Sequence, residues 1–288
     1  EKGGEEKFQM TGEEIAVICA SHSGTDRHLK TIYKLQKKIG ATKSDLRCYF
    51  HQPFDPASRK KLRDQGLSPD QNHHNCSGKH TGMLGLGKLM GVPFEGYTEE
   101  THPIQQNILP IVAEMCGLEP NQIILGRDGC SVPAFAMPLL NAARGWAKLV
   151  DPANLPEPRK TACQVITRAM IENPFVVAGP GRFDTRIMEA GRGKLVSKTG
   201  AEAYQALGIF PGAIKPGSPG LGICIKIADG DQGKRARKAV TLAVLQQLNV
   251  LSPSQLSRLD DLGPDQEIKN HAKIVTGVGK PCFQLQYS

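Results

Sequence analysis

The chain has 288 residues, enough to bury a substantial core, with 39% hydrophobic and 22% charged residues, a balance that excludes disordered and fibrous classes. No apolar run approaches the roughly 18 residues of a membrane span, and the charged opening EKGGEEKFQM is unlike a secretory leader, so the sequence reads as soluble and intracellular. The formal charge of +8 sits largely on 27–38, 58–63 and 234–238; with aromatics at 5% and no stacking motif beside these runs, solvated faces are the better reading and nucleic-acid binding is set aside.

In chain order, TGEEIAVICASHSG (11–24) reads as though a helix had just ended before it. Over 27–38, Leu29, Ile32, Tyr33 and Leu35 recur at helical spacing and lead to Ile39, with lysines opposite and Gly40 at the stop. THPIQQNILPIVAEMCG (101–117) predicts a helix capped by Thr101, with Pro103 in its first turn, a kink at Pro110 and an end at Gly117. AFAMPLLNAARGWAKLV (134–150) and TACQVITRAMIENP (161–174) predict helices on either side of a linker, DPANLPEPRK (151–160). Downstream the pattern turns to short β-rich pieces: FVVA (175–178), KLVSK (194–198) and LGICIKIADG (221–230). A helix over 235–251 and an extended piece over 273–278 follow. Helices followed by strands and a packing helix predict an α+β architecture with a largely antiparallel sheet. The whole of 1–288 reads as one unit without repeats, mostly helical over 25–173 and sheet-containing over 174–288.

Of the eight cysteines, Cys19, Cys48, Cys116, Cys163, Cys224 and Cys282 stand in apolar or patterned surroundings and read as small buried hydrophobes. Cys76 and Cys130 are flanked instead by Gly, Ser and charged residues. A chain this long without an export signal is expected to keep its thiols reduced.

Four segments set nucleophiles or ligand-type side chains against glycines at element boundaries: CASHSG (19–24), NCSGKH (75–80), RDGCSVP (127–133) and SKTGAEA (197–203). Glycine permits tight turns and close backbone approach, so this clustering fits a site better than a core. Cys76 and Lys79 are three apart, which on a first helical turn puts both on one face. They could meet one cation; a protonated lysine is a poor ligand, however, and a buried Cys in a helix turn is the competing reading.

The motifs AVICASHSG, NCSGKHTGML, HPIQ, DGCSVPAFAMPL, KTGAEA and GICIKIADG, in this order and down to NHAKIVTGVGKPCFQL, resemble the asparaginase II family, the Rhizobium-type class 3 L-asparaginases. The resemblance implies a fold similar to serine β-lactamases and glutaminases, an antiparallel sheet with flanking helices beside a helical region, as a cytoplasmic homodimer. It implies hydrolysis of L-asparagine to L-aspartate and ammonia. It implies a metal site, generally Zn2+, on Cys76, Lys79 and Cys130, with Asp128 holding a water beside it. It also implies a Ser-Lys pair, which falls on Ser21 and Lys198.

The family carries a second pair, an S-x-x-K tandem, ahead of the ASHSG motif, and this chain has none there. The tandem is expected on a segment before Glu1; otherwise the protein is impaired. The internal Ser58 with Lys61 lies in a basic solvated stretch and is rejected. His22 and His80 adjoin site motifs and read equally as pocket-shaping or structural. Arg182 and Asp184 in GPGRFDT could form an ion pair or contact substrate, of which the structural ion pair is the preferred reading, and Glu202 reads as a partner for the substrate's amino group. Other readings kept open are a different serine amidohydrolase of this fold, glutaminase-like, and a non-catalytic metal-bound descendant.

Overall fold

A short helix, α1 (Gly4–Lys7), precedes α2 (Gly12–Ile18), which falls where the sequence reading expected a helix to have ended. A capping box explains the start: the Thr11 side chain accepts from Glu14 N, and the Glu14 carboxylate accepts from Thr11 N. The computed structural model describes residues 1–232 and 234–286. Next, α3 (Asp26–Ile39) buries Ile32, Leu35 and Ile39 and ends at Gly40 in the left-handed region, as the spacing requires, although Tyr33 is exposed. The surface helix α4 (Pro56–Asp64) buries nothing. It leads to α5 (Ser77–Met90), which has Cys76 at its N-cap.

The helix α6 (Pro103–Cys116) is capped by His102 rather than Thr101: its side chain accepts from Ile104 N. The 134–150 segment is not helical throughout. Pro133–Ala136 forms β2, paired antiparallel with β1 (Ile124–Arg127), and only after Pro138 does α7 (Leu139–Val150) begin. The 151–160 connection joins α7 to α8 (Arg159–Glu172), which packs back on α7. FVVA is not a strand: Pro174 starts a single helical turn, α9 (Pro174–Val177). Proline at a first helical position suits its fixed φ, and this outweighs the β-branched valines.

After α10 (Phe183–Gly191) come β3 (Leu195–Gly200), β4 (Tyr204–Ile209) and β5 (Leu221–Lys226), an antiparallel sheet in the order β3-β4-β5. The register sets Lys198 opposite Ala206 and Ala206 opposite Cys224. The central strand is almost wholly buried, and α7 lies on β4 and β5 while α10 lies on β3. Gly222 permits this approach, since a Cβ there would overlap Ala143 O of α7. The chain closes with α11 (Ala236–Gln247), α12 (Pro253–Leu256) and the hairpin β6 (Gln266–Lys269) and β7 (Val275–Gly279). Leu195, Leu207, Ile209, Ile187, Leu242 and Leu245 are fully buried and tie sheet to helices. The architecture is α+β, with helices packed on small antiparallel sheets. No helix among the described residues is long and apolar enough to cross a membrane.

Candidate active site and metal centre

Four segments line one cavity of about 660 Å³. The first is the loop after α2, stitched to its neighbours by Ser21 N to Val177 O (3.0 Å), His22 N to Asn75 O (3.1 Å) and Asp55 N to Ser23 O (3.0 Å). The second is the first turn of α5. It packs against α2 where Gly78 lacks a side chain: a Cβ there would overlap Val17 O, and one at Gly82 would sit 2.6 Å from Ile18 Cγ2. This close approach brings the Ser21 loop and the Cys76 turn to the same cavity. The third segment is the β1–β2 turn, closed by Asp128 N to Val132 O (2.9 Å) and Ser131 N to Asp128 O (2.8 Å). The fourth is β3, which delivers Lys198 and Thr199.

On one wall, ligand atoms of Cys76, Asp128 and Cys130 all lie within 4.8 Å of one another. Cys130 Sγ is 3.3 Å and Lys79 Nζ 3.4 Å from Asp128 Oδ2. The two thiols, lying against each other, are driven apart in their titration: contact with Cys76 lowers Cys130, while contact with Cys130 together with burial raises Cys76. Burial alone would depress the Lys79 amine, but the two cysteines and Asp128 outweigh it and raise it. Two sulfurs, an amine and a carboxylate converging in this way suit a four-coordinate thiophilic dication.

Behind this wall His80 is buried, with Nδ1 2.5 Å from Tyr97 Oη, which also accepts from Arg47 N at 2.9 Å. With the Tyr97 proton assigned to Nδ1, the imidazole proton falls on Nε2, which has no formed hydrogen bond. An unpartnered buried imidazole nitrogen behind the Cys76, Asp128 and Cys130 group would suit the outer support of a metal site.

In the same cavity, Lys198 Nζ lies 2.6 Å from Ser21 Oγ and donates to Thr199 O at 2.8 Å. Burial pushes the Lys198 amine below the usual lysine range; Asp184 and, less, Cys76 oppose the shift, and the charges of Lys79 and Arg182 reinforce it. Asp184 is buried under β3, its Oδ1 accepting from Ser197 Oγ (2.6 Å) and Gln205 Nε2 (3.0 Å) and its Oδ2 from Thr199 N (2.8 Å). Burial would raise this carboxyl, but Lys198 and these three donors outweigh it and hold it low.

The expected Arg182–Asp184 ion pair is not made. Asp184 sits in the first turn of α10 with both oxygens occupied, whereas Arg182, the N-cap, turns to Ser23 Oγ at 3.2 Å. Residues two apart at a helix start do not face each other. His22 is buried behind the loop. Its Nδ1 accepts from Gly24 N (3.1 Å), so Nε2–H donates to Ser77 Oγ (2.8 Å), whose proton goes to Asn72 O (2.9 Å). Burial drives its pKa well down, and the neutral ring latches the loop to α5.

The structure thus brings Ser21, Lys198, Cys76, Lys79, Cys130 and Asp128 to one cavity, with His22 and His80 behind its walls. Glu202 stands apart: it is exposed in the β3–β4 turn, its carbonyl oxygen accepts from Lys226 Nζ, and it does not line the cavity. Ser58 spends its hydroxyl on Asp55 Oδ2 (2.6 Å) at the start of α4. Phe54 and Cys19 line the cavity without having been singled out. The only signal for Cys19 was its place beside ASHSG; burial pushes its thiol up to about 11. Phe54 had no signal at all.

The family model described as L-asparaginase II matches residues 1–281 of the chain. No curated protein matches it.

Proposed function

The chain belongs to the L-asparaginase II family and is an amidohydrolase of that kind, and we propose that its cavity hydrolyses L-asparagine to L-aspartate and ammonia through a Ser21–Lys198 acyl-enzyme, with zinc at Cys76, Lys79 and Cys130. The observation that carries this reading is the 2.6 Å approach of Lys198 Nζ to Ser21 Oγ across 177 residues of sequence, in the cavity that also holds the thiol cluster.

A serine hydroxyl becomes a nucleophile when a base takes its proton, and an amine depressed by burial is such a base. Ser21 Oγ attacks the side-chain amide carbon while its proton passes to Lys198 Nζ. Lys198 returns that proton to the leaving nitrogen, the carbon–nitrogen bond breaks, and ammonia departs from a β-aspartyl ester. Water then attacks the ester with Lys198 again taking a proton, which it gives back to Ser21 as aspartate leaves. Thr199 O, accepting from Nζ, and Asp184, gripping Ser197 and Thr199, keep the amine aimed. Zinc would supply positive charge that stabilises a developing oxyanion and favours a neutral Lys79. Cys76, Lys79 and Cys130 are its ligands in this reading, and Asp128 orders water beside them.

The antiparallel sheet flanked by helices, beside a helical region, supports a serine β-lactamase- and glutaminase-like arrangement with 1–288 as one catalytic unit. Eight free thiols favour a reducing cytoplasm, and the exposed Leu139 and Leu140 on α7 favour a homodimer. The test is ammonia release from L-asparagine and L-glutamine, with added zinc and after chelation. Zinc-stimulated release from asparagine alone is expected. Preference for glutamine would move the reading to a glutaminase-like enzyme, and stoichiometric zinc without turnover to a non-catalytic descendant.

A further inference from the structure

Three cations border the cavity, and two are accounted for: Lys79 belongs to the thiol wall, and Lys198 is committed to Ser21. The third, Arg182, has no assigned partner. Its Nη1 donates to Ser23 Oγ at 3.2 Å, and its guanidinium carbon lies 5.4 Å from the centre of the Phe54 ring. Ser23 is itself fixed, donating to Ala178 O at 2.8 Å, and a Cβ at Gly179 would overlap its hydroxyl. The guanidinium is therefore held in place with one of its five N–H groups engaged by Ser23. Among the described residues no carboxylate pairs with it; Asp184, two residues on, has both oxygens filled. A cation pinned by a hydroxyl and an aromatic face, lining the proposed amide-cleaving cavity with no carboxylate in direct contact, has the geometry and chemistry of a carboxylate receptor.

Position agrees with this role. Ser23 is two residues from Ser21, a stretch of chain that spans at most about 7 Å. In L-asparagine three carbon–carbon bonds join the amide carbon to the α-carboxylate carbon, so with one hydrogen bond added the molecule bridges that distance. We propose that Arg182 binds the α-carboxylate of the substrate and restricts the site to amides that carry a carboxylate at this separation. The inference rests on the amidohydrolase reading and adds its selectivity.

The test compares the wild-type chain with Arg182→Gln and Arg182→Lys on L-asparagine, on succinamic acid, which keeps the carboxylate but lacks the amine, and on 3-aminopropanamide, which keeps the amine but lacks the carboxylate. Arg182→Gln is expected to lower kcat/KM on both carboxylate-bearing amides by about thirtyfold or more. The preference for L-asparagine over 3-aminopropanamide should then collapse. Arg182→Lys keeps the charge and the reach to Ser23, guards against misfolding, and should fall between. An equal loss on all three amides, or none, overturns the proposal. If the wild type releases ammonia from no amide, the amidohydrolase reading fails, and calorimetry with L-aspartate then judges Arg182 alone. Binding that Arg182→Gln abolishes supports the receptor; binding in both proteins, or in neither, overturns it.

Discussion

Lys79 and Lys198 line the same cavity, and their surroundings drive their amines in opposite directions. Lys79 faces two thiols and a carboxylate, whose negative charge outweighs its burial, so without a metal it stays an ammonium. Lys198 meets one carboxylate already saturated by Ser197, Thr199 and Gln205 and, more weakly, Cys76, and burial wins. What an amine can do is set less by its depth than by how much uncompensated negative charge it meets. One wall is thereby prepared for a cation, and the other for a neutral base.

The most severe way to break this contrast is to remove the base. Lys198→Ala is expected to lower kcat by about 10²–10⁴, and Lys198→Arg, which cannot become neutral at working pH, should lose nearly as much. Most of the rate surviving in Lys198→Arg would reduce the lysine to an electrostatic anchor. At the thiol cluster, the proposed site should bind about one dication per chain, read by elemental analysis, and Cys76→Ser or Cys130→Ser should abolish that binding. Cys224→Ser, whose thiol meets Tyr204 Oη on β4 at 3.0 Å, should leave metal content intact; equal loss from all three would point to folding.

Asp184→Asn sharpens the contrast on the base side. Removing a buried, fully hydrogen-bonded charge should cost about 3 kcal/mol by chemical denaturation. It also removes the larger of the two charges that oppose the downward shift of Lys198. Because the neutral amine exists above its pKa, activity should rise with pH through that titration and then level off; in Asp184→Asn the rise should come at lower pH. An unmoved profile would mean that Asp184 does not act on the base.

Much of this was legible in order and spacing. The Cys76–Lys79 interval placed both on the first turn of α5, and the Gly40 and Gly117 stops fell where the helices end. Strand alternation found β5, whose apolar residues are half-buried. What the sequence hid was tertiary. Nothing local marked PAFA as pairing with ILGR instead of opening a helix, or the FVVA turn as a helix set by Pro174. The approach of Ser21 to Lys198 depends on how the α2 loop meets β3, and only the family resemblance anticipated it. Arg182 and Asp184 read as a pair from proximity alone; the α10 start separates them.

The smallest expected effect lies outside the cavity and guards the whole contrast. Ser58 and Lys61 reproduce an S-x-x-K spacing on α4, a helix with no buried residue. Ser58 N and Oγ both donate to Asp55 Oδ2, at 2.8 and 2.6 Å, and Lys61 Nζ lies 2.6 Å from Asp26 Oδ2 with both side chains at least half exposed. Here the hydroxyl is spent on Asp55 and the amine on Asp26, so the two are not paired as Ser21 and Lys198 are. Ser58→Ala should therefore leave ammonia release unchanged and cost at most about 1 kcal/mol of stability through the lost bond to Asp55, and Lys61→Ala should alter neither measurably. A loss of rate in either variant comparable to that in Lys198→Ala, at unchanged melting temperature, would place the nucleophile on α4 and undo the assignment of Ser21.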